Sequence, residues 1–338
     1  MMFCKAEVLI EEKIMTGSYV KLYNTGQLRQ IAKRAVALLE SCSLCPRECG
    51  VNRLQGEAGV CRTGRYARVA SYGPHFGEES CLVGSQGSGT IFFCGCNLLC
   101  RFCQNYSLSR DSDPDCTEVD ASGLAELMIL LQHRGCHNIN FVTPTHVIPQ
   151  ILEALIVAVG SGLTVPVVYN CSGYEKVDSL VLLENVVDIY MPDAKFFRAQ
   201  SSAAHTGCAD YPVRMKQAIV EMQRQVGDLV VGPSGVAERG LLVRHLLMPN
   251  GLEDTRELVR FLARTISRDC YLNIMDQYRP CGEYSGGDGP EDCSHPISQR
   301  MYEKAMQLAE DAGLRRLERK DLGSLLARLL IRSDQKQR

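Results

Sequence analysis

The sequence predicts an α/β fold: a partial (β/α)6 barrel of the triosephosphate isomerase (TIM) type with a cysteine-rich amino-terminal extension. Two observations carry this prediction. After residue 86, short apolar runs rich in β-branched residues alternate six times with stretches of helical periodicity. Before it, cysteines cluster between residues 42 and 61 among several glycines.

The elements follow one another as strand and then helix. Six segments have the pattern of buried strands: 89–94, 137–143, 165–170, 187–191, 240–247 and 270–276. Six more have apolar residues three and four positions apart, as helices do: 121–135, 147–162, 176–185, 211–227, 252–267 and 297–313. Such a repeat requires a mostly parallel sheet covered by helices. In barrels of this kind the working residues sit at the carboxyl ends of the strands.

The composition is that of a globular chain. The sequence has 338 residues, of which 45% are hydrophobic and 22% charged, enough for one large barrel and an appendage. Because 37 Lys and Arg balance 39 Asp and Glu, generic nucleic-acid binding is not expected. The first residues lack the apolar run of a signal peptide, and no segment approaches the roughly 20 apolar residues of a membrane helix. We expect a cytoplasmic protein that does not associate with a membrane.

Cysteine is unusually frequent, with 17 residues grouped in short-spaced motifs. An odd number and tight clustering argue against a disulfide framework and for thiolates that bind metal in a reducing compartment. The densest group, CGCNLLCRFC, directly follows the first predicted strand of the barrel.

Three cysteines of this loop, Cys96, Cys100 and Cys103, are spaced to present their thiolates towards one centre. Thiolates bind both zinc and iron–sulfur clusters. Three ligands suit a 4Fe–4S cluster with one iron left open, whereas structural zinc needs a fourth ligand, for which Cys94 is the candidate. The third interpretation treats the cysteines as small buried hydrophobic residues.

A second group, Cys42, Cys45, Cys49 and Cys61, precedes the barrel on a glycine-rich segment. Four thiolates complete a tetrahedral shell. This predicted second metal site would hold structural zinc or an additional iron–sulfur cluster that relays electrons, and the alternative is a compact loop without metal.

The motif C-x-x-x-C-x-x-C, with Phe102 before its last cysteine, resembles the cluster loop of the radical S-adenosylmethionine (radical SAM) superfamily. The surrounding segments resemble a bacterial and archaeal branch similar to pyruvate formate-lyase activating enzyme, the PflX-like iron–sulfur proteins. They are GSGTIFFCGCNLLCRFCQN, HNINFVTPTHVIPQILEAL, YNCSGYE, DIYMPDAKF, GLLVRHLLMPNG and NIMDQYRP. The resemblance runs from about residue 18 to residue 318 and leaves out the two termini.

This resemblance implies a radical SAM barrel in which Cys96, Cys100 and Cys103 hold a 4Fe–4S cluster. The open iron would chelate S-adenosyl-L-methionine, and reductive cleavage would give methionine and a 5'-deoxyadenosyl radical for hydrogen abstraction. The implied class is an iron-dependent oxidoreductase like pyruvate formate-lyase activating enzyme. The implied partners are a reductant such as flavodoxin or ferredoxin and a protein or peptide substrate. The sequence does not identify the substrate, which could be a glycyl-radical protein, another peptide or a small metabolite.

Other strand ends carry polar residues. By resemblance, Asp193 and Lys195 match a D-x-K pair whose lysine lies near the carboxylate of the cosubstrate, and Asn170 and Ser172 match a segment that contacts it. The alternatives without a functional role are a surface ion pair for Asp193 and Lys195 and an ordinary turn for Asn170 and Ser172. The residues predicted to bind the cofactor are Thr143, Asn170, Ser172, Asp193, Lys195, Arg244 and His245, and those predicted to be catalytic are Lys195 and Arg244.

Arg244 and His245 lie within an otherwise apolar strand, where an unpaired charge is costly. We therefore expect a polar barrel interior, although adjacent strand residues point to opposite faces and only one of the two can face inward. For His245 the alternative is packing against a helix. Tyr278 and Arg279, after the last strand, are candidates for the substrate side.

The chain departs from the activating enzymes after the second strand. Those relatives commonly carry Gly-Gly-Glu to bind the amino group of the cosubstrate, whereas this chain has the segment 143–146, Thr-Pro-Thr-His. The departure puts glycyl-radical activation in doubt.

The predicted organisation is an extension over residues 1–85 with the cysteine knuckle at 42–61, the barrel over 86–318 and a basic tail over 319–338. Cys281 and Cys293 flank a polar loop. This loop would be either a lid in which the two cysteines form a reactive pair or a flexible loop in which their positions have no functional meaning. Two functions of other classes remain: a non-catalytic iron–sulfur electron carrier and a zinc-stabilised interaction protein.

Overall fold

A computed structural model describes residues 16–110, 112–113, 115–285, 290 and 293–319. The predicted basic tail lies outside these residues except for Arg319. Within the described ranges no helix is long and apolar enough to cross a membrane.

One ten-stranded sheet organises the molecule, in the order β10-β9-β8-β6-β5-β4-β2-β1-β3, with β7 paired to β8. Its strands are β1 (Ala67–His75), β2 (Ser88–Phe93), β3 (Thr117–Val119), β4 (Ile139–Val142), β5 (Val167–Cys171), β6 (Ile189–Pro192), β7 (Val230–Val231), β8 (Ala237–Leu246), β9 (Tyr271–Met275) and β10 (Arg316–Leu317). The strands from β2 to β9 along this order are parallel, as is β10 to β9.

Eleven α-helices are found in the described ranges. They are α1 (Tyr19–Asn24), α2 (Gln27–Ala37), α3 (Ser80–Val83), α4 (Tyr106–Ser109), α5 (Ala121–His133), α6 (Ile148–Gly160), α7 (Val177–Val181), α8 (Ala199–Thr206), α9 (Tyr211–Val226), α10 (Leu252–Phe261) and α11 (Gln299–Asp311). A π-helical turn, Leu262–Ile266, extends α10. The predicted fold class is confirmed: all six expected strand-and-helix units occur in order, around an open sheet.

Local sequence explains where several helices begin. The side chain of Asp120 accepts a hydrogen bond from the Gly123 amide at 2.8 Å and caps α5, and Ser298 caps α11 through the Met301 amide. Such caps satisfy amides that have no partner within the helix. Proline in the first turn of α6 and of α9 costs nothing, since its missing N–H would be unpaired there.

The two faces of the sheet bury different cores. Val167 and Tyr169 of β5 belong to the main core beneath the helices, whereas Val168 faces the interior of the barrel with Met191 and Leu242. This alternation follows from the two-residue period of a strand. The smaller inner core closes the floor of the barrel and leaves its carboxyl end to other side chains.

The described part of the predicted extension packs onto the barrel. Strand β1 pairs antiparallel with β2 and with β3, and Tyr19, buried in α1, donates to the carbonyl of Val165 at 2.7 Å. Leu28 of α2 belongs to the main core. The boundary at residue 85 stays a prediction, but the residues before it share a core with those after it.

Candidate active site

A cavity of about 470 Å³ opens at the carboxyl ends of the parallel strands. Register places strand ends side by side: Val142 pairs with Asn170, Cys171 with Pro192, and Arg244 with Asn273. The lining polar and thiol residues include His75, Glu78, Glu79, Cys96, Cys100, Cys103, Thr143, Asn170, Ser172, Asp193, Lys195, Arg244 and Asn273. The cavity therefore collects most of the residues that the sequence singled out.

The three cysteines of the loop after β2 all line this cavity. Cys96 and Cys100 are buried and Cys103 is partly exposed. The Leu98 amide donates to the sulfur of Cys96 at 3.4 Å, a contact suited to a thiolate. Leu99 adopts a φ of 59°, so the turn that brings the cysteines together is held in a backbone conformation that L-residues rarely adopt.

Gly95 explains how this loop begins. Its φ is 85°, and a Cβ at this position would lie 2.3 Å from the carbonyl oxygen of Cys61. The residue therefore has to be glycine both for its conformation and for the close approach of the 42–61 segment.

Burial raises the pKa of the thiols of Cys96 and Cys100, and in Cys100 the nearby Lys195 opposes that rise. Among the described residues, no three Cys, His, Asp or Glu side chains are arranged to hold one metal ion.

Cys94 does not join these thiols, because it forms a disulfide with Cys116. Cys94 is therefore not available as the fourth zinc ligand that one alternative required. This pair is the one disulfide of the described residues, and the other 14 described cysteines are free.

Lys195 and Asp193 form an ion pair in the cavity, with Nζ donating to Oδ2 at 2.5 Å. Burial would lower the pKa of Lys195, but Asp193 outweighs it and the pKa is raised. The two side chains are 14% and 21% exposed, so this is not an ordinary surface pair. Lys195 stays an ammonium ion at neutral pH.

The loops after β5 and β6 are joined by the buried hydroxyl of Tyr211. It lies 2.9 Å from the carbonyl oxygen of Ser172 and 2.7 Å from that of Asp193, and it accepts from the amide of Lys195 at 3.0 Å. Gly173 allows the two loops to come this close, because a Cβ at this position would lie 2.5 Å from the carbonyl oxygen of Asp193. Ser172 and Lys195 are thus held in fixed relation.

Thr143 also lies at the cavity, directly after β4. Its φ of 61° falls in the left-handed region, which is exceptional for a β-branched residue. The amide of Thr143 donates to the carbonyl of Asn170 at 2.9 Å. This chain therefore places a threonine in a conformation that glycine adopts without strain.

Arg244 faces the cavity between two carboxylates. It donates to Glu79 at 2.6 and 2.8 Å and also to Glu78, while the amide of Asn273 donates to Glu79 at 2.7 Å. Burial would raise the pKa of Glu78, but Arg244 and His75 lower it to about 2. The expected polar interior is present, and its anions come from the segment between β1 and α3.

His245 points to the other face of β8. Its Nδ1 lies 2.7 Å from the carbonyl oxygen of Ala194 and its Nε2 lies 2.8 Å from the hydroxyl of Thr255 in α10. Burial lowers its pKa. The strand thus brings Arg244 into the cavity and packs His245 against a helix, which agrees with the alternative interpretation of His245. A contact between His245 and a cofactor stays a prediction.

Beyond the last strand, the hydroxyl of Tyr278 donates to the carbonyl of Cys293 at 2.7 Å. Neither Tyr278 nor Arg279 lines the cavity. Cys281 and Cys293 are both free thiols, and part of the loop between them lies outside the described residues.

A second cavity lies between the 42–61 segment and the loop after β2. All four predicted ligands, Cys42, Cys45, Cys49 and Cys61, line it. Burial raises the pKa of the thiols of Cys45 and Cys61. The four cysteines thus meet at one cavity, while metal binding by them stays a prediction.

Sequence reasoning missed Glu78, Glu79, Asn273 and Tyr211. Glu78 and Glu79 follow an antiparallel strand that the six-unit pattern did not include. Two adjacent acids near an apolar segment were the available signal, but their partner Arg244 lies 165 positions from Glu79. Tyr211 was read only as the first residue of a helix.

No protein-family model matches the sequence. Two solved structures show a limited likeness. Native anSMEcpe with bound AdoMet has a TM-score of 0.43 at 10% identity, covering 66% of this chain and 61% of that one. Methylornithine synthase (PylB) has a TM-score of 0.41 at 12% identity, covering 91% of this chain and 83% of that one.

The sequence likeness to an archaeal protein is much stronger. Uncharacterized protein MJ0674 of Methanocaldococcus jannaschii is 31% identical over 295 residues, which span 84% of this chain and 78% of that protein. This identity and coverage show that the chain belongs to the same family as MJ0674.

Proposed function

We propose that this protein is a radical SAM enzyme whose 4Fe–4S cluster is held by Cys96, Cys100 and Cys103. One observation carries the proposal: the three thiols share a single cavity with Lys195, Arg244 and the polar ends of neighbouring strands. An enzyme needs such a space for a second molecule beside the cluster.

The donor set fits the cluster. Three cysteines leave one iron without a protein ligand, and Cys94 cannot supply a fourth thiolate while it is bonded to Cys116. When bound there, the cluster would supply the electron for reductive cleavage of S-adenosyl-L-methionine.

The chain's own residues would bind and orient this cosubstrate. Lys195, kept cationic by Asp193, suits its carboxylate, and Asn170 and Ser172 offer polar contacts on the adjacent loop. Tyr211 fixes that loop against Lys195.

The finer assignment extends the same proposal. The resemblance to pyruvate formate-lyase activating enzyme points to an oxidoreductase that receives electrons from flavodoxin or ferredoxin in the cytoplasm and acts on a protein or peptide. The segment 143–146, which is Thr-Pro-Thr-His where the activating enzymes commonly carry Gly-Gly-Glu, argues against activation of a glycyl-radical enzyme. Deuterium exchange between 5'-deoxyadenosine and candidate molecules identifies the substrate.

The electron-carrier alternative is weaker because such a protein needs no cavity of about 470 Å³ with paired charges beside its cluster. The alternative of a zinc-stabilised interaction protein gives no role to the loop that contains Cys96, Cys100 and Cys103. Iron and sulfide analysis excludes zinc alone, and turnover of S-adenosyl-L-methionine excludes the carrier.

The test uses anaerobically reconstituted protein. Alanine at Cys96, Cys100 and Cys103 together should abolish the visible absorption of this cluster and all formation of 5'-deoxyadenosine. The matched control, Cys94→Ala with Cys116→Ala, removes two other cysteines and should retain both. If the triple variant keeps its full iron content and activity, the cluster assignment is wrong.

The role of Lys195 is tested by binding. Loss of one charge-assisted contact costs about 1.5–3 kcal/mol, so Lys195→Ala should weaken S-adenosyl-L-methionine binding roughly tenfold or more while the cluster still forms. Lys304→Ala, which removes an equal charge from an exposed site on α11, should leave binding unchanged. A reducible cluster that yields no 5'-deoxyadenosine in the wild-type protein would instead support the electron carrier.

A further inference from the structure

The cavity beside the 42–61 segment has a volume of about 10 Å³. This is room for roughly one sphere of 1.4 Å radius, the size of a water molecule. The cavity lies between three parts of the chain: the 42–61 segment, the loop after β2 through Asn97, and the turn after β4 through His146. A single small molecule bound here would lie between all three.

Three buried polar atoms of residues that line this cavity have no hydrogen-bond partner in the described chain: Nη2 of Arg53, Oδ1 of Asn97 and Nδ1 of His146. Each of these residues is at most 1% exposed. Buried polar atoms are nearly always hydrogen-bonded, because an unpaired one keeps the full cost of leaving water. Three such atoms around one small cavity indicate that a bound molecule completes the site.

Other hydrogen bonds hold two of these side chains in place. The guanidinium of Arg53 donates to the carbonyls of Gly64 and His146 at 3.0 and 2.8 Å. The amide nitrogen of Asn97 donates to the carbonyl of Tyr174 at 2.7 Å. Because the nitrogen of Asn97 is the donor in that bond, its Oδ1 is left as an acceptor.

The hydrogen bond of His146 assigns its ring in the same way. Its Nε2 lies 2.9 Å from the carbonyl oxygen of Cys94. A carbonyl oxygen only accepts, so Nε2 carries the proton. Burial lowers the pKa of His146 to about 4, so the ring is neutral at neutral pH and Nδ1 has a free lone pair. The cavity therefore has two acceptors, on Asn97 and His146, and one donor, on Arg53.

One water molecule matches this set of atoms. Its two O–H groups supply the two acceptors and its oxygen accepts the one N–H, which gives about the three hydrogen bonds that a buried water usually makes. A metal ion with four thiolate ligands would leave Asn97 and His146 without a donor. Among the described residues, moreover, no three Cys, His, Asp or Glu side chains are arranged to hold one ion.

We propose that Arg53, Asn97 and His146 bind one buried water molecule, and that this water joins the 42–61 segment and the turn after β4 to the loop after β2. The 42–61 segment is then the compact loop without metal that the sequence left as an alternative. The water site itself does not depend on the proposed function, whereas its role at the cluster loop rests on it.

The bridge acts on the loop that carries the three cysteines of the proposed cluster. Asn97 directly follows Cys96 in this loop, and His146 donates to the carbonyl of Cys94 just before it. Neither Asn97 nor His146 lines the cavity of about 470 Å³. They are therefore positioning residues, which act through the loop. His146 gains a role in this way within the segment 143–146, where the chain departs from the activating enzymes.

A high-resolution crystal structure of the wild-type protein, grown without oxygen, tests the water site. We expect density for one oxygen atom within hydrogen-bond distance of Nη2 of Arg53, Oδ1 of Asn97 and Nδ1 of His146, without anomalous scattering at the iron or zinc edge. An anomalous peak among the four thiols of this cavity would overturn the proposal. Absence of density between the three polar atoms would overturn it too.

Metal analysis tests the same site in solution. The triple alanine variant of Cys96, Cys100 and Cys103, purified without oxygen and incubated with zinc or iron, should retain neither metal after gel filtration. Stoichiometric zinc or iron that is lost when Cys45→Ala is added to this variant would overturn the proposal.

Paired substitutions test whether the two acceptors share one water. His146→Gln keeps an amide that can donate to the carbonyl of Cys94 but removes Nδ1, and Asn97→Leu removes Oδ1. Each should lower the melting temperature. Together they should lower it by clearly less than the sum of the two effects, because the first substitution already disrupts the shared site. Additive effects would show that no water joins these residues.

Release of iron to a chelator tests the role at the loop after β2. In reconstituted protein, His146→Gln should release iron about tenfold faster than the wild-type protein, as expected for the loss of one or two hydrogen bonds. Tyr19→Phe removes a bond to the carbonyl of Val165 and controls for a general loss of stability, so its release rate should not change. Equal rates for His146→Gln and the wild-type protein would reject the role. A wild-type protein that takes up no iron would reject the proposed function and this role together, and the crystal structure would still decide the water site.

Discussion

Arg244 and Glu79 are joined by two hydrogen bonds of 2.8 and 2.6 Å between guanidinium and carboxylate. The side chain of Glu79 is 1% exposed and that of Arg244 is 13% exposed. A paired guanidinium and carboxylate present both charges in a fixed geometry. The pair thus links the segment between β1 and α3 to strand β8 at the wall of the cavity.

We predict that Arg244→Met destabilises the protein by about 3–5 kcal/mol, because it leaves buried carboxylates without their cation. Chemical denaturation at pH 7 measures this. The combined Arg244→Met, Glu78→Gln and Glu79→Gln variant should recover much of the loss. As a control, Arg315→Ala, which breaks an exposed pair with Asp269 at 3.5 Å, should cost at most about 1 kcal/mol. Equal losses in the two single variants would contradict the assigned role.

The repeat of strands and helices could be predicted from the sequence because central parallel strands such as β5 and β6 are buried on both faces and give apolar runs. Strand β1, Ala67–His75, was not predicted because its sequence, ARVASYGPH, contains a glycine and a proline. Strands β7 and β10 have two residues each and leave no periodic signal. Their pairing depends on neighbours supplied by the rest of the fold.

The site was predictable where its residues are close in sequence and follow a strand. Cys96 to Cys103 and Asp193 with Lys195 meet this condition. Glu79 and Tyr211 do not, because their functions depend on partners from distant segments. His245 shows a further limit: the alternation of a strand says that one of two neighbours faces inward, and only the packing of α10 decides which.

We predict that Tyr211→Phe lowers stability by about 1–3 kcal/mol, because buried groups at Ser172, Asp193 and Lys195 lose their hydrogen-bond partner. Binding of S-adenosyl-L-methionine should weaken as well, since the two loops are no longer fixed to each other. Tyr23→Phe provides a control on a partly buried tyrosine away from the cavity. Unchanged binding with lowered stability would limit Tyr211 to a structural role.

We predict that Thr143→Gly raises the melting temperature. A left-handed conformation costs an L-residue about 1–2 kcal/mol, and glycine gives back roughly 0.5–1 kcal/mol through its greater freedom in the unfolded chain. The net gain should be on the order of 0.5–1 kcal/mol by these figures. Thr143→Ala keeps a Cβ in the same conformation and should not give this gain. A fall in stability with glycine would show that the threonine side chain makes a necessary contact.

Glu175 provides a prediction about pH. It is buried, and it accepts hydrogen bonds from the hydroxyls of Thr145 at 2.6 Å and Tyr169 at 3.1 Å. Burial outweighs these bonds and raises its pKa from 4.5 to about 7. The folded protein therefore holds a proton on Glu175 at pH values where the unfolded chain has lost it.

Because the folded pKa is raised, the stability contributed by Glu175 is complete below about pH 4.5 and declines as the pH rises through about 7. The loss across this range is on the order of 3 kcal/mol at 1.36 kcal/mol per pH unit. Glu175→Gln carries no titrating group, and its amide suits hydroxyl partners that can rotate. The variant should therefore gain stability over the wild-type protein at pH 8 and match it near pH 4.5. Denaturation curves at several pH values measure the difference, and a difference that does not change with pH would show that the pKa of Glu175 is the same in the folded and the unfolded chain.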